Sequence, residues 1–303
     1  MLPSDYHVKK IFELVGGRMI RRKKFRVALD TVNGAGGVIA QVLLKKLGCR
    51  VEGINLAMTG RFAHIPEPTP ANLVSFSQFI KTKKVDVGFA LDPDADRLVL
   101  VAPSGAVLVE EYTLAIAVWH FLNHIKRGSV VINQSTSMMS EEIARRAKCR
   151  VYRSAVGEMN VVNEMVKRNA VIGGEGNGGI IDPRLHLGRD GIHGMALILE
   201  CLAISGKTLP EIIDALPRFY IVKDKIEMRQ SAKRKSQSVR YKLKFKKYFK
   251  NADISEIDGV RFAWPDRWLH IRPSNTEPII RIIAEAPTEQ EARVLIALAK
   301  GVI

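Results

Sequence analysis

The sequence predicts an α/β protein: two successive domains in which strands and helices alternate around mixed, mainly parallel sheets, then a smaller α+β domain with an antiparallel sheet. Short β-branched runs alternate with segments of helical apolar spacing through the first part of the chain. The alternation restarts at Glu110 and therefore marks a second unit. From about Lys207 the order changes to strands joined by turns. We therefore expect domains at residues 1–106, 107–216 and 217–303.

The first domain is expected to contain a helix, a strand–helix–strand unit, a further helix and two closing strands. The predicted helices cover residues 6–20, 38–47 and 73–81, and the predicted strands cover 25–29, 50–54, 85–90 and 98–101. A glycine-rich turn, Asp30 to Gly37, follows the first strand. The third glycine of a dinucleotide-binding G-x-G-x-x-G pattern would fall on Ile39, so we interpret the turn as a structural bend before a helix.

The helices and strands of the second and third domains are predicted in the same way, from the hydrophobic period and the turn residues. In the second domain, helices are predicted over residues 110–123, 139–148, 157–168 and from near 190, with strands at 130–133, 150–153 and 171–173. From about residue 207 onward, helices are predicted at 209–215, 231–248 and 289–300, with strands at 220–226, 259–263, 268–272 and 278–284.

The composition indicates a chain with a buried core and no membrane partner. Of 303 residues, 47% are hydrophobic, yet no apolar run approaches the roughly 20 residues of a membrane span. The N-terminus lacks the pattern of a signal peptide. Cys49, Cys149 and Cys201 are odd in number and outside any metal-ligand spacing, as is typical of reduced thiols. We therefore predict a cytoplasmic protein.

The net charge of +16 is concentrated in one segment. Residues 221–250 hold 12 Lys or Arg and 2 acidic residues, which leaves a net charge of only +6 for the remainder. A basic face of this kind could meet RNA or a membrane surface. No nucleic-acid fold signature or stacking motif accompanies it. We favour a solvated helix face that helps to attract phosphorylated substrates, and nucleic acid is the less favoured partner.

The strongest chemical signal is the loop Leu91-Asp-Pro-Asp-Ala-Asp-Arg97 between two predicted strands. Three carboxylates at alternate positions of a tight turn repel one another unless a cation neutralises them. Oxygen ligands favour a hard ion. We therefore predict that Asp92, Asp94 and Asp96 hold Mg²⁺.

Loops of other protein classes share this pattern of aspartates. An EF-hand is excluded, because its sixth and twelfth positions would be Arg97 and Pro103 instead of Gly and Glu. A phosphatase loop with Asp92 as nucleophile also follows an apolar strand and stays open as an alternative, as does a solvated acidic turn.

Two further loops carry groups suited to a sugar phosphate. Glycines in the stretch Gly173 to Gly179 allow close backbone approach, and Glu175 with Asn177 would suit vicinal hydroxyls of a sugar. A plain β-turn is the alternative there. The run Arg272-Pro-Ser-Asn-Thr-Glu-Pro278 concentrates a guanidinium, two hydroxyls and an amide, which suits a phosphate dianion; a capped turn is the alternative.

Together these three loops resemble those of the α-D-phosphohexomutase family, which includes phosphoglucomutases, phosphomannomutases and phosphoglucosamine mutases. Asp92–Arg97 resembles the family's metal loop, Gly174–Gly178 its sugar loop and Arg272–Pro278 its phosphate loop, in the family's order and one per domain. Asp30–Gly36 and Gly188–Ile192 are also similar to family segments, so the resemblance covers essentially the whole chain.

The resemblance implies interconversion of hexose 1-phosphate and 6-phosphate by phosphoryl transfer through a bisphosphorylated sugar. It implies that the three aspartates bind Mg²⁺ beside a catalytic Arg97 and that a hexose 1,6-bisphosphate activates the phosphoserine form. Glu175 would bind sugar hydroxyls, as would Asn177, although many members have Ser there. The residues implied to hold the phosphate that is not transferred are Arg272, Ser274, Asn275 and Thr276.

The phosphoserine that donates phosphate in this family has no counterpart in these 303 residues. Ser135 and Ser137 lie in a strand-end turn that does not match the family's Thr-Ala-Ser-His-Asn-Pro-like segment. We therefore expect a truncated mutase whose activity alone is doubtful, with the phosphoserine supplied by a separate chain or domain. A non-catalytic sugar-phosphate-binding protein derived from a mutase is the first alternative, and an Mg²⁺-dependent phosphatase built on Asp92 is the second.

Overall fold

The strands of the computed structural model, which describes residues 3–227, 248–249, 251–274 and 278–302, form three sheets in succession along the chain. The first sheet contains β1 (Arg26–Asp30), β2 (Arg50–Ile54), β3 (Val87–Leu91) and β4 (Leu98–Val101). The second contains β5 (Val130–Asn133), β6 (Val151–Ser154), β7 (Ile172–Glu175) and β8 (Gly179–Ile181). The third contains β9 (Tyr220–Glu227), β10 (Asp253–Ser255), β11 (Val260–Ala263), β12 (Trp268–Pro273) and β13 (Ile279–Ala286).

The helices connect and cover these sheets. Those before and within the first sheet are α1 (Pro3–Leu14), α2 (Gly17–Lys23), α3 (Gly36–Lys46) and α4 (Val74–Lys81). Those associated with the second sheet are α5 (Glu111–His120), α6 (Met138–Arg146), α7 (Glu158–Arg168), α8 (Gly191–Ser205) and α9 (Leu209–Ala215). The last described helix, α10 (Glu289–Val302), packs on the third sheet.

The first two sheets repeat one topology. Their strand orders are β2-β1-β3-β4 and β6-β5-β7-β8, and in each the first three strands are parallel while the fourth returns as an antiparallel hairpin. The third sheet, β10-β11-β12-β13-β9, is antiparallel throughout. Parallel strands need helical crossovers, which the alternating sequence supplies. The predicted fold class is therefore confirmed, whereas the exact domain limits remain a prediction.

The first two sheets share one hydrophobic core, and the third has its own. Helix α8 lies at the centre of the shared core, because 13 of its 15 residues are buried. Helix α5 is buried along most of its length in the same cluster. The third sheet packs its apolar face on α10 around Phe262, Leu269 and Ile282. This arrangement brings the ends of β3 and β7 to the start of α8, where the candidate site lies.

Three local predictions differ from the structure. The helix predicted over 6–20 is divided between Leu14 and Gly17, because the Gly16 amide donates a hydrogen bond to the buried Glu200 carboxylate (2.6 Å) instead of continuing the helix. The helix predicted over 110–123 is α-helical only as far as His120, and a π-helical segment, Phe121–Ile125, follows it. Strands β8 and β10 were not predicted, because three-residue strands carry no hydrophobic period.

Other predictions from the sequence can be compared with the structure in the described residues. The glycine-rich turn does lead into a helix, because α3 begins at Gly36. Cys49, Cys149 and Cys201 are free thiols. In the described ranges no helix has both the length and the apolar character to cross a bilayer. The helix predicted over 231–248 lies almost entirely outside the described residues.

Two buried acidic side chains contact the N-terminus of α6, and one of them joins the second and third sheets. Glu285 of β13 accepts hydrogen bonds from the Ser137 hydroxyl, the Met138 amide (2.7 Å) and the Trp268 indole (2.6 Å). Glu111 of α5 accepts from the Ser137 amide (2.9 Å). The Glu285 contacts run from β13 to amide and hydroxyl donors at the start of α6, so they stabilise the docking of the third sheet on the second.

Burial of Glu111 predicts that stability falls as the pH rises through neutrality. Burial raises its pKa from 4.5 to about 8, opposed by Lys223 and by the Ser137 amide. Between these values the folded state holds a proton that the unfolded state has released, so the free energy of unfolding decreases by up to about 1.4 kcal/mol per pH unit. Denaturant unfolding from pH 5 to 8 should show a steeper decrease in the native chain than in Glu111→Gln. The exposed Glu289→Gln is the control, and equal slopes in native chain and Glu111→Gln would contradict the prediction.

Candidate active site

The three aspartates of the predicted metal loop converge at the turn between β3 and β4. One carboxylate oxygen from each of Asp92, Asp94 and Asp96 lies within 4.8 Å of the other two. Asp92 is fully buried, Asp96 is half-buried and Asp94 is exposed. Both flanking strands are completely buried, so they fix the position of the turn.

The loop backbone is held from two sides. Ala95 has a left-handed conformation (φ +61°), and its carbonyl accepts a hydrogen bond from Gly191 at the start of α8 (2.9 Å). On the other side, Pro93 accepts from the Ala35 amide (2.7 Å). A Cβ on Gly34 would lie 2.5 Å from the Pro93 carbonyl oxygen, so this close approach requires glycine. The predicted glycine bend therefore supports the metal loop.

The carboxylates fit a hard cation. Oδ1 of Asp96 is buried without a hydrogen-bond partner among the described residues. Burial, followed by repulsion from Asp92, raises the pKa of Asp96 to about 7. A carboxyl that resists ionisation near two others has the electrostatic character of a cation site, because a divalent ion would remove that repulsion. The all-oxygen donor set favours an ion such as Mg²⁺.

Arg97 and Arg189 both form ion pairs with aspartates of the loop. The Arg97 amide and Nε donate to the two carboxylate oxygens of Asp92 (3.0 and 2.6 Å). Its Nε also lies 3.6 Å from Asp96. Arg189 donates to Asp96 through one terminal nitrogen and to Glu175 through the other (2.8 Å). The guanidinium of Arg189 therefore bridges the metal loop and the predicted sugar loop.

The predicted sugar loop is the tip of the β7–β8 hairpin. Glu175 is the buried last residue of β7, and its Oε1 accepts from the Asn133 side chain (2.8 Å) and the Gly157 amide (2.9 Å). Asn177 is half-buried at the tip, where its side-chain oxygen accepts from the Gly179 amide (3.2 Å). The sequence indicated one turn from which both side chains could point, whereas Glu175 is fixed within a strand and only Asn177 lies on the turn.

The hairpin packs directly against the strand that follows the metal loop. The Leu98 amide donates to the Gly178 carbonyl (3.1 Å). Gly178 has φ +92°, and a Cβ there would lie 2.5 Å from the Leu98 carbonyl oxygen. Only glycine allows this approach, so Gly178 sets the short separation between the two loops.

The predicted phosphate loop is described in part. Arg272 is half-buried near the end of β12, with its guanidinium 3.5 Å from the Asp258 carboxylate. Ser274 is buried, and its amide donates to the Ile279 carbonyl (2.9 Å). Asn275 and Thr276 lie outside the described residues.

One series of polar contacts links all three loops. Arg97 contacts Asp96, Arg189 joins Asp96 to Glu175, and Glu175 accepts from the Gly157 amide. The residue before Gly157 is Val156, and its amide donates to Asp258 (3.1 Å). The Asp258 carboxylate in turn contacts Arg272. The three predicted loops are therefore linked by polar contacts, although they come from three sheets.

Several residues of this network were not predicted from the sequence. Arg189 falls in the segment Gly188–Ile192, which was noted for its family resemblance but given no role. Asn133, Gly157 and Asp258 carry no local signal, because an isolated amide, glycine or aspartate is common in loops.

Ser135 and Ser137 have structural contacts in this arrangement. The Ser135 hydroxyl is hydrogen-bonded to His270 Nδ1 (2.9 Å), and the opposite ring nitrogen of His270 contacts the Asp258 carbonyl (2.6 Å). Ser137 caps α6 and donates to Glu285. Both hydroxyls thus join the second domain to the third.

Comparison with known proteins gives matches along most of the chain. Family models described as phosphoglucomutase/phosphomannomutase match residues 5–105 (alpha/beta/alpha domain II), 110–220 (alpha/beta/alpha domain III) and 221–297 (C-terminal domain). The chain is 37% identical over 288 residues to a phosphoglucomutase/phosphomannomutase of Thermococcus kodakarensis, covering 95% of this chain and 62% of the relative. It is 31% identical over 292 residues to a probable phosphoglucosamine mutase of Methanopyrus kandleri, covering 96% and 63%.

A solved structure shows the same fold. A phosphoglucomutase/phosphomannomutase family protein from Burkholderia thailandensis superposes with a TM-score of 0.82 at 23% identity, covering 98% of this chain and 64% of that chain. The chain thus spans a little under two thirds of the length of each of these three proteins.

Proposed function

Because this chain belongs to the phosphoglucomutase/phosphomannomutase family, we propose that its three linked loops form the substrate site of a phosphohexomutase. The reaction is the interconversion of a hexose 1-phosphate and a hexose 6-phosphate through a bisphosphorylated sugar. The observation that carries the proposal is a series of polar contacts that runs from Arg97 through Arg189 and Glu175 to the Gly157 amide. From the adjacent Val156 amide the series continues through Asp258 to Arg272. It links the residues that we assign to a cation, to sugar hydroxyls and to a phosphate. The proposed domains are residues 1–106, 107–216 and 217–303.

In this proposal each loop has one task. Asp92, Asp94 and Asp96 would hold Mg²⁺, which when bound neutralises charge on the phosphoryl group being transferred. Arg97 is oriented by Asp92 and places its cationic group beside the same phosphoryl group.

The sugar and its second phosphate are bound by the other two loops. Glu175 is held by Asn133 and Gly157, so its carboxylate can accept hydrogen bonds from sugar hydroxyls, and Asn177 lies beside it on the hairpin tip. Arg272 and Ser274 bind the phosphate that stays in place, and we assign Asn275 and Thr276 to the same task.

The phosphoryl donor is the part of the reaction that these residues do not supply. We propose a phosphoserine on a separate chain or domain, with a hexose 1,6-bisphosphate as activator and the cytoplasm as the location. For the sugar we favour glucosamine or mannose phosphate over glucose phosphate.

The two alternative functions make different demands on the site. A phosphatase would use Asp92 as nucleophile, but this carboxylate is fully buried and both its oxygens accept hydrogen bonds from Arg97. That geometry disfavours nucleophilic attack. A binding protein without turnover would use the same contacts as the mutase, so only a measurement of turnover separates the two.

Removal of Arg272 tests the proposed site through binding. Calorimetric titration with glucose 1,6-bisphosphate in Mg²⁺ should show saturable binding that weakens about tenfold to a hundredfold in Arg272→Ala, because a charge-assisted phosphate contact contributes about 1.5–3 kcal/mol. The control is Arg293→Ala, since Arg293 is exposed on α10 and bonded to Glu289. Equal affinities in the two variants would contradict the proposal.

Conversion of the sugar phosphate is then measured after the proposed source of the phosphoserine has been added to the chain. The chain is mixed with, or fused to, the part of the Thermococcus kodakarensis relative that lies outside the matched residues, and is assayed with glucosamine, mannose and glucose phosphates. Conversion of a 1-phosphate to a 6-phosphate supports the mutase. Tight binding with no conversion in either format would favour the binding protein.

A further inference from the structure

A second cluster of metal-ligating side chains lies away from the aspartate loop, where α1 meets the start of α8. His7 and His186 each place Nε2 against the same oxygen of Asp190, at 2.8 and 3.1 Å. The three ligand atoms lie within 4.8 Å of one another. None of these residues has a role in the proposed mutase reaction.

We propose that His7, His186 and Asp190 form a binding site for a divalent transition metal of the Zn²⁺ class. Two imidazole nitrogens and one carboxylate oxygen are a donor set that such ions prefer and that Mg²⁺ does not. Zn²⁺ bonds of about 2.0–2.1 Å at tetrahedral angles separate ligand atoms by about 3.3 Å. The two observed nitrogen–oxygen separations need only a few tenths of an ångström of relaxation to reach that value.

The ligands are oriented by the surrounding chain. Oδ1 of Asp190 accepts a hydrogen bond from the His193 amide (2.8 Å), which leaves Oδ2 directed at the two imidazoles. His186 lies on the turn before α8, and its amide donates to the Asp182 carbonyl (3.2 Å). Asp190 is buried, so the site has the fixed carboxylate that metal ligands usually require.

The solvent side of the cluster leaves room for further ligands. The side chains of His7 and His186 are 28% and 43% exposed and line an open cleft together with Tyr6, Lys10 and Glu13. Arg184, on the same cleft, is paired with Asp182 at 2.6 Å, so its charge is already balanced. Three protein ligands and an open side are the arrangement in which water completes a zinc coordination shell.

A metal ion here would fasten α1 to the segment that carries Arg189. Asp190 follows Arg189 directly in the sequence, and Gly191 donates to the Ala95 carbonyl of the aspartate loop. The ion would therefore act as a structural clamp close to the proposed active site. This inference does not depend on the mutase reaction.

The test is direct titration of the chelator-treated full chain with Zn²⁺ in saturating Mg²⁺, against a chromophoric competitor. We expect one site, with affinity reduced at least tenfold to a hundredfold in His7→Ala and in His186→Ala, because even indirect partners of a metal contribute about that much. His124→Ala replaces an exposed histidine outside the cluster and should bind as the native chain does. Co²⁺ should give a visible spectrum that both cluster variants lose, and far-UV circular dichroism checks that they fold.

Three results would overturn the proposal. The first is no Zn²⁺ binding by the native chain, and the second is Zn²⁺ affinity in both cluster variants equal to that of the native chain. The third is loss of Zn²⁺ binding in Asp94→Asn with retention in the histidine variants, which would place the ion on the aspartate loop.

Discussion

Replacing Asp94 with asparagine is expected to weaken binding of Mg²⁺ or Mn²⁺ by at least tenfold to a hundredfold without lowering the thermal unfolding temperature of the metal-free chain. Asp94 is the exposed member of the aspartate cluster, so its loss removes a ligand charge without opening the core. Asn preserves the size of the side chain and one oxygen. The metal-free variant should also have less repulsion around Asp96, whose pKa is raised partly by Asp92 and Asp94.

The measurement is titration with Mn²⁺ followed by electron paramagnetic resonance, in which free and bound ions are distinguished. Asp253→Asn is the matched control, because Asp253 is exposed on β10 of the third sheet. The native chain and this control should also gain thermal stability on addition of Mg²⁺, as expected of a ligand that binds the folded state. Native-like Mn²⁺ affinity in Asp94→Asn would remove the aspartate loop as the cation site.

The aspartate loop could be predicted from sequence because its chemistry is local. Three carboxylates within five positions must lie close together in any fold. The buried strands on both sides could be predicted because each is a short apolar run in the sequence. Arg189 could not be predicted in the same way. It contacts Asp96 across 93 positions, and only the topology of the two sheets and α8 brings these residues together.

The same distinction explains the errors in secondary structure. The division of the first helix depends on a hydrogen bond between Gly16 and Glu200, a residue 184 positions away, so hydrophobic period alone predicts one continuous helix. The glycines around Glu175 predicted that it lies on one turn together with Asn177. In the fold Gly178 permits the close packing of the hairpin against Leu98, and Glu175 is a fixed carboxylate at the end of β7.

The second large effect is expected at the junction of the second and third domains. Glu285→Ala should lower the free energy of unfolding by on the order of 3–5 kcal/mol, because it leaves the Ser137 hydroxyl, the Met138 amide and the Trp268 indole without their acceptor. These donors are at or near the buried end of α6, so water does not replace the lost carboxylate easily. Glu285→Gln keeps the shape and an acceptor oxygen and should cost much less.

The junction also sets the position of the phosphate loop, since β12 and β13 are adjacent strands of the third sheet. Weaker docking should therefore appear as faster hydrogen exchange at Ser137 and Met138 and as weaker binding of glucose 1,6-bisphosphate, measured beside the exposed control Glu289→Ala. If Glu285→Ala instead unfolds at the same denaturant concentration as that control, the carboxylate does not hold the domains together. In that case the packing of the apolar side chains at the junction must provide the docking energy.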